Sequence, residues 1–104
     1  MRFIVYGAGA VGGVVAARLH QQGHEVALIA RGPHLEAIRR NGLRLQSADE
    51  DVALPIPAFA APTDIEFRED DVVLLGVKSQ DTVDAARALA ASTELSLPVV
   101  SLQN

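Results

Sequence analysis

Cysteine is absent from this sequence. That excludes a disulfide framework and any metal site built on thiolates, and it fits a reducing, cytoplasmic setting. A surplus of positive charge is missing too. The formal net charge is −4, so the chain as a whole attracts neither nucleic acid nor an anionic membrane, and any anion site must be local. A membrane-spanning run is also lacking. The apolar stretch over residues 3–17 follows Met1-Arg2 in the manner of a signal peptide. It is broken by Gly7, Gly9, Gly12 and Gly13, and it falls short of the ~20 residues a span needs. Apolar residues themselves are plentiful, at 49% against 21% charged, which separates the sequence from disordered chains. With 104 residues it forms one domain at most.

The apolar residues fall into a regular alternation. Phe3-Ile4-Val5-Tyr6 is a β-rich run ending in glycine, and it reads as a strand buried on both faces, hence parallel. Over residues 10–22, Val11, Val14, Val15 and Leu19 follow helical spacing, with Gly23 as the stop. Residues 26–30 repeat the buried-strand pattern. Pro33 then opens a helix with Leu35 and Ile38 inward, closed by Gly42. Strand and helix in strict alternation predict an α/β domain with a doubly wound, mostly parallel sheet.

The middle of the chain is less regular. Leu43-Arg44-Leu45 alternates like a strand, and residues 52–58 carry Pro55 and Pro57, so they form a short or edge strand only. A small hairpin and no helix are expected there. Asp70-Asp71 reads as a solvated turn before residues 72–77, the strongest buried strand. A helix is predicted over 80–91 with Val83, Ala86, Leu89 and Ala90 inward, then a last strand over 99–102. The sequence given ends at Gln103-Asn104, where a doubly wound domain would continue with a helix and a strand. The expectation is a piece of a longer chain; the alternative is a natural five-stranded mini-domain.

The chemistry is concentrated in Gly7-Ala8-Gly9-Ala10-Val11-Gly12, which matches G-x-G-x-x-G. The pattern alone is weak, but here it leaves a predicted strand and opens a predicted helix, as a dinucleotide site requires. Gly7 permits the tight turn, Gly9 lets backbone approach a pyrophosphate, and Gly12 allows helix and strand to pack closely. The helix start supplies amides and partial positive charge for the phosphates. An NAD site also needs a carboxylate about twenty residues on, to accept from the ribose 2′-hydroxyl. Ala30-Arg31-Gly32 stands there instead. Arginine forks onto a 2′-phosphate, which points to NADP(H); the alternative is a solvated loop arginine. Lys78, the sole lysine, and Asn104 each follow a predicted strand. With Gly7 and Arg31 they fall at the carboxyl edge of the sheet, where such folds bind ligands, although a lone lysine is as often a surface residue. His20, His24 and His34 have no metal-ligand spacing, and no nucleophile elbow, Walker lysine or nucleic-acid stripe is present.

The run from Phe3 to Gly13, Gly23-His24-Glu25-Val26, Ala30-Arg31, Val77-Lys78-Ser79-Gln80 and Leu102-Gln103-Asn104 together resemble the ketopantoate reductases, or 2-dehydropantoate 2-reductases. The resemblance covers essentially the whole chain. It implies that residues 1–104 are a Rossmann-type dinucleotide-binding domain that takes part in NADPH-dependent reduction of 2-dehydropantoate, a small 2-oxoacid, to pantoate on the way to pantothenate. It implies that Gly7, Ala8, Gly9, Ala10, Val11, Gly12, Arg31, Lys78 and Asn104 line the cofactor site, with Arg31 on the 2′-phosphate. Lys78 and Asn104 would lie near the nicotinamide and substrate. Such enzymes carry a second, helical domain with the catalytic lysine and most of the substrate site, so no catalytic residue is expected in this chain. A non-catalytic nucleotide-sensing module and a related 2-oxoacid or 3-hydroxyacid reductase are the alternatives.

Overall fold

A computed structural model describes residues 1–102. The chain runs β1 (Arg2–Tyr6), α1 (Ala10–Gln21), β2 (Glu25–Ile29), α2 (Gly32–Asn41), β3 (Leu43–Gln46), β4 (Asp51–Leu54) and β5 (Ala58–Phe59). After a 3-10 turn at Pro62–Asp64 come β6 (Asp71–Leu75), a second 3-10 turn at Ser79–Asp81, α3 (Thr82–Ser92) and β7 (Val99–Ser101). Five strands form one parallel sheet in the order β5-β2-β1-β6-β7. A parallel sheet must be covered on both faces, and the central strands β2, β1 and β6 are, while the edge strand β7 is left exposed, with Val99 and Val100 about half accessible. On one side Val5, Val26, Leu28 and Leu74 pack with Ala16 and Ala17 of α1, Leu35 and Ile38 of α2, and Leu43 and Leu45 of β3. On the other, Ile4, Ala27, Ile29 and Val73 pack with Ile65 and with Leu89 of α3. No helix among the described residues is long and apolar enough to cross a membrane.

The expected hairpin is present as β3 and β4, paired antiparallel with Leu43 opposite Leu54 and Leu45 opposite Val52. The single strand expected over 52–58 is divided, however. Pro55 and Pro57 have no amide hydrogen to give a ladder, so β4 stops at Leu54 and the chain bends. Ala58–Phe59 then joins the main sheet as a parallel edge strand beside β2.

The inward faces of two helices also differ from the periodic reading. In α1 the buried residues are Gly12, Ala16 and Ala17, while Val11 and Val14 are 53% and 48% exposed. The helix lies so close to β1 that only small side chains fit between them, and the valines are turned outward. In α3 the tight turn at Ser79–Asp81 delays the helix to Thr82. Its inner side carries Ala85 and Leu89, and Val83 is exposed; Ala86 and Ala90 face outward as well.

Asp71 is no solvated turn residue. It is fully buried, and Arg2 clamps it through Nε to Oδ1 at 2.8 Å and Nη2 to Oδ2 at 2.7 Å. The Arg68 amide donates to Oδ2 at 2.8 Å, and Arg2 Nη2 also donates to the Glu66 carbonyl at 3.0 Å. Arg2 and Asp71 are register partners on β1 and β6, so the pair ties the central strands together at their amino ends. Removing one member of a buried pair strands the other charge. Asp71→Ala should therefore cost ~3–5 kcal/mol, while Arg2→Leu combined with Asp71→Leu should recover most of the loss. Urea melts of the three proteins check this; equal stability of wild type and Asp71→Ala would show that the pair contributes nothing.

Candidate cofactor-binding site

Parallel pairing sets Tyr6 beside Ile29 on one side and Leu75 on the other. The exits of β1, β2 and β6 therefore lie side by side, and they deliver Gly7, Ala30-Arg31 and Gly76-Val77-Lys78 to one edge. The first exit turns at Gly7, whose φ of +102° is a left-handed conformation that L side chains rarely adopt. Its amide donates to the Ile29 carbonyl at 2.9 Å, and the Gly76 amide donates to the Tyr6 carbonyl at 2.8 Å. A Cβ on Gly7 would lie 2.8 Å from the Val77 nitrogen, and one on Gly12 would collide with the Gly7 carbonyl oxygen. Gly76 is drawn into the same contact, since its Cβ would sit 3.1 Å from that oxygen and 3.3 Å from the Gly12 Cα. Sequence reasoning missed Gly76; a glycine closing the most apolar strand was the available signal.

Gly9 differs from these. A Cβ there would meet no protein atom within 4 Å, so its lack of a side chain serves nothing in the protein's own packing. Gly9 is the N-cap of α1, and the helix begins there without a side-chain cap and without an acidic residue in its first turn. The first-turn amides have no carbonyl partner within the helix, and no acidic side chain of that turn offsets the positive end of the dipole. This end fits a pyrophosphate, which carries the negative charge and acceptors that the helix start lacks.

Beside the turn lies a cavity of about 320 Å³, walled by Tyr6, Gly7, Ile29, Ala30 and Arg31, by Ala60 to Pro62, and by Val77, Asp81, Asp84, Ala85 and Ala88. Arg31 is the N-cap of α2, and its side chain is 87% exposed. Its Nη2 stands 3.7 Å from Oδ2 of Asp81. Burial pushes the Tyr6 phenol above its ordinary value, and the Arg31 charge partly opposes the shift. Lys78 is exposed beside the cavity, and its carbonyl accepts from the Asp81 amide at 2.8 Å. The structure thus brings residues 7–12, Arg31 and Lys78 to one edge, as the sequence pattern expected. Asn104 lies outside the described residues. Tyr6 and Asp81 were not foreseen; Asp81 follows Lys78 by one tight turn, a spacing that no motif reports.

The sequence from residue 3 to residue 104 matches the family model for ketopantoate reductase PanE/ApbA. The chain belongs to the ketopantoate reductase family. A 2-dehydropantoate 2-reductase of Mesorhizobium japonicum is 37% identical over 105 residues, which cover 100% of this chain and 32% of that protein. The crystal structure of a PanE/ApbA family ketopantoate reductase from Ralstonia eutropha superposes with a TM-score of 0.89 at 40% identity, over 100% of this chain and 34% of the other. A D-mandelate dehydrogenase, solved with NADH and anilino(oxo)acetate, superposes with a TM-score of 0.86 at 26% identity, over 100% of this chain and 33% of that one. The chain therefore spans about a third of the length of the relatives it matches. The family consists of pyridine-nucleotide-dependent oxidoreductases, and the five-stranded parallel sheet is their Rossmann-like N-terminal fold.

The glycines of the turn should separate by role. Gly9→Val should keep the fold and lose dinucleotide binding, because the new side chain meets only the ligand's space. Gly12→Val should unfold the domain, because it strikes the Gly7 carbonyl. Thermal melts by circular dichroism, run beside cofactor titrations, distinguish the two. Near-normal affinity in Gly9→Val would place the phosphates elsewhere.

Proposed function

We propose that this chain is the cofactor domain of an NADPH-dependent reductase that converts 2-dehydropantoate to pantoate. The observation that supports this most is the uncapped start of α1 at the glycine turn, with Arg31 at the exit of β2 instead of a carboxylate, in a chain of this family. On this reading the amides of residues 9–12 hold the pyrophosphate, and the adenosine end occupies the cavity beside Tyr6, Ala30 and Pro62. Arg31 forks onto the 2′-phosphate through charge-assisted bonds. Lys78 and Asn104 are assigned on this reading to contacts with the nicotinamide and the substrate.

When bound, the nicotinamide supplies the hydride. Reduction of a ketone leaves negative charge on its oxygen, so the site needs a proton donor and an electrostatic clamp. It also needs the ketone held near the cofactor, which accounts for several kcal/mol of barrier lowering. This chain offers a single lysine toward that task. The donor and most of the substrate contacts are assigned to a second, helical domain of the full-length protein. A second reading, a reductase of the same type acting on another 2-oxoacid, draws support from the likeness to D-mandelate dehydrogenase. A nucleotide-sensing module is not favoured, because the family match with the reductases runs from residue 3 to residue 104.

Two measurements test the proposal. Arg31→Ala should weaken NADPH binding about tenfold, a value discounted for the exposure of the side chain, and leave NADH binding nearly unchanged. Fluorescence titrations with both cofactors read this out, and equal wild-type affinities would remove the basis for an NADPH preference. The second measurement follows NADPH absorbance with 2-dehydropantoate. The full-length protein should turn over, and residues 1–104 alone should not. Comparable turnover by the short chain would locate the proton donor here, with Lys78 the leading candidate.

A further inference from the structure

The cavity beside the glycine turn has an unusual charge inventory for a phosphate site. Arg31 lines it together with two carboxylates, Asp81 and Asp84. A 2′-phosphate brings close to two further negative charges, so the two carboxylates oppose it, whereas a 2′-hydroxyl escapes that repulsion and can donate to a carboxylate. Asp81 also occupies a position that usually has a different employment. Aspartate at an N-cap normally accepts from the amides of the first helical turn. Asp81 is the N-cap of α3 and makes no such bond. Its carboxylate lies instead 3.7 Å from the Arg31 guanidinium.

The two partners differ in freedom. Asp81 is 34% exposed and sits in a 3-10 turn closed by its own amide on the Lys78 carbonyl, at 2.8 Å. Arg31 is 87% exposed and carries a long side chain. Arg31 is therefore the arm that moves, and Asp81 is the fixed post that holds it.

Resting on the assignment of this cavity to the adenosine end of the cofactor, we propose that Asp81 is a specificity-determining residue. Its carboxylate competes with the 2′-phosphate for Arg31, and so narrows the preference for NADP(H) over NAD(H). A ligand with a 2′-phosphate must take Arg31 from Asp81 before it gains the arginine's bonds. A ligand with a 2′-hydroxyl leaves the pair in place and loses nothing.

Calorimetric titration of the full-length protein with 2′,5′-ADP and with 5′-AMP tests this without reference to catalysis. Asp81→Asn, which preserves shape, should tighten 2′,5′-ADP about threefold to fivefold, the worth of one exposed ion pair, and leave 5′-AMP unchanged. In an Arg31→Ala background the same substitution should give no gain. A gain that persists without Arg31, an equal gain for both nucleotides, or no gain at all would each overturn the proposal. A wild-type protein that binds neither nucleotide would overturn the assignment of the cavity, and the proposal with it. A wild type that binds both but ignores Asp81 overturns the proposal alone.

Discussion

The domain depends on the contact between three backbones at Gly7, Gly12 and Gly76. The Gly7 carbonyl lies where a Cβ of Gly12 would be, and Gly76 closes on the same atom from β6. This contact fixes the height of α1 above the sheet. Once the helix is that low, the next inward positions must be small, and they are Ala16 and Ala17, both fully buried. The same constraint sets the helix start directly over the strand exits, where its free amides face the edge. A structural need for small residues and a functional need for a bare helix terminus are thus met by one geometry.

The stabilising ion pair and the candidate cofactor site occupy opposite ends of the sheet. At the amino ends, the buried Arg2–Asp71 pair joins β1 to β6, and further bonds to Glu66 and Arg68 satisfy its remaining polar atoms. At the carboxyl ends the charged groups are exposed, as Arg31 and Lys78 show. Buried ions cost several kcal/mol to desolvate, so they serve where the partner is permanent. Exposed ions cost little and gain little from a partner within the protein, which leaves them available to a ligand.

Much of this was legible in the sequence because strand burial and turn chemistry are local. The runs at residues 3–6, 26–30 and 72–77 identified the central strands, and the glycine pattern between the first strand and helix identified the turn. What was not legible is relational. Hydrophobic spacing grouped Val11 and Val14 with Val15 and Leu19, of which only the latter two pack against the core, since it counts apolar residues and ignores how near the sheet lies. The burial of Asp71 required knowing that Arg2 would be its register partner across β1 and β6. The departure of residues 58–59 to the main sheet required knowing that β2 had an open edge there. Asp81 has no sequence signature at all, because its meaning comes from the side chain opposite.

The same division bears on how one fold serves different cofactors. On the proposed reading the turn and the start of α1 address a pyrophosphate, a group that NAD(H) and NADP(H) share, and the geometry of Gly7 and Gly12 is bound to the packing of the whole domain. A change at Gly7 or Gly12 acts on fold and affinity together, whereas Gly9 stands free of the packing. Discrimination rests on the 2′ position alone, and the groups assigned to it by the proposed function are Arg31 and Asp81, both at the surface of the cavity and neither part of the core. The core residues Ile4, Val5, Leu28 and Val73 are fully buried and touch neither side chain's role. On that assignment, cofactor preference is free to drift by single substitutions at two helix-capping positions while the sheet and the turn stay as they are.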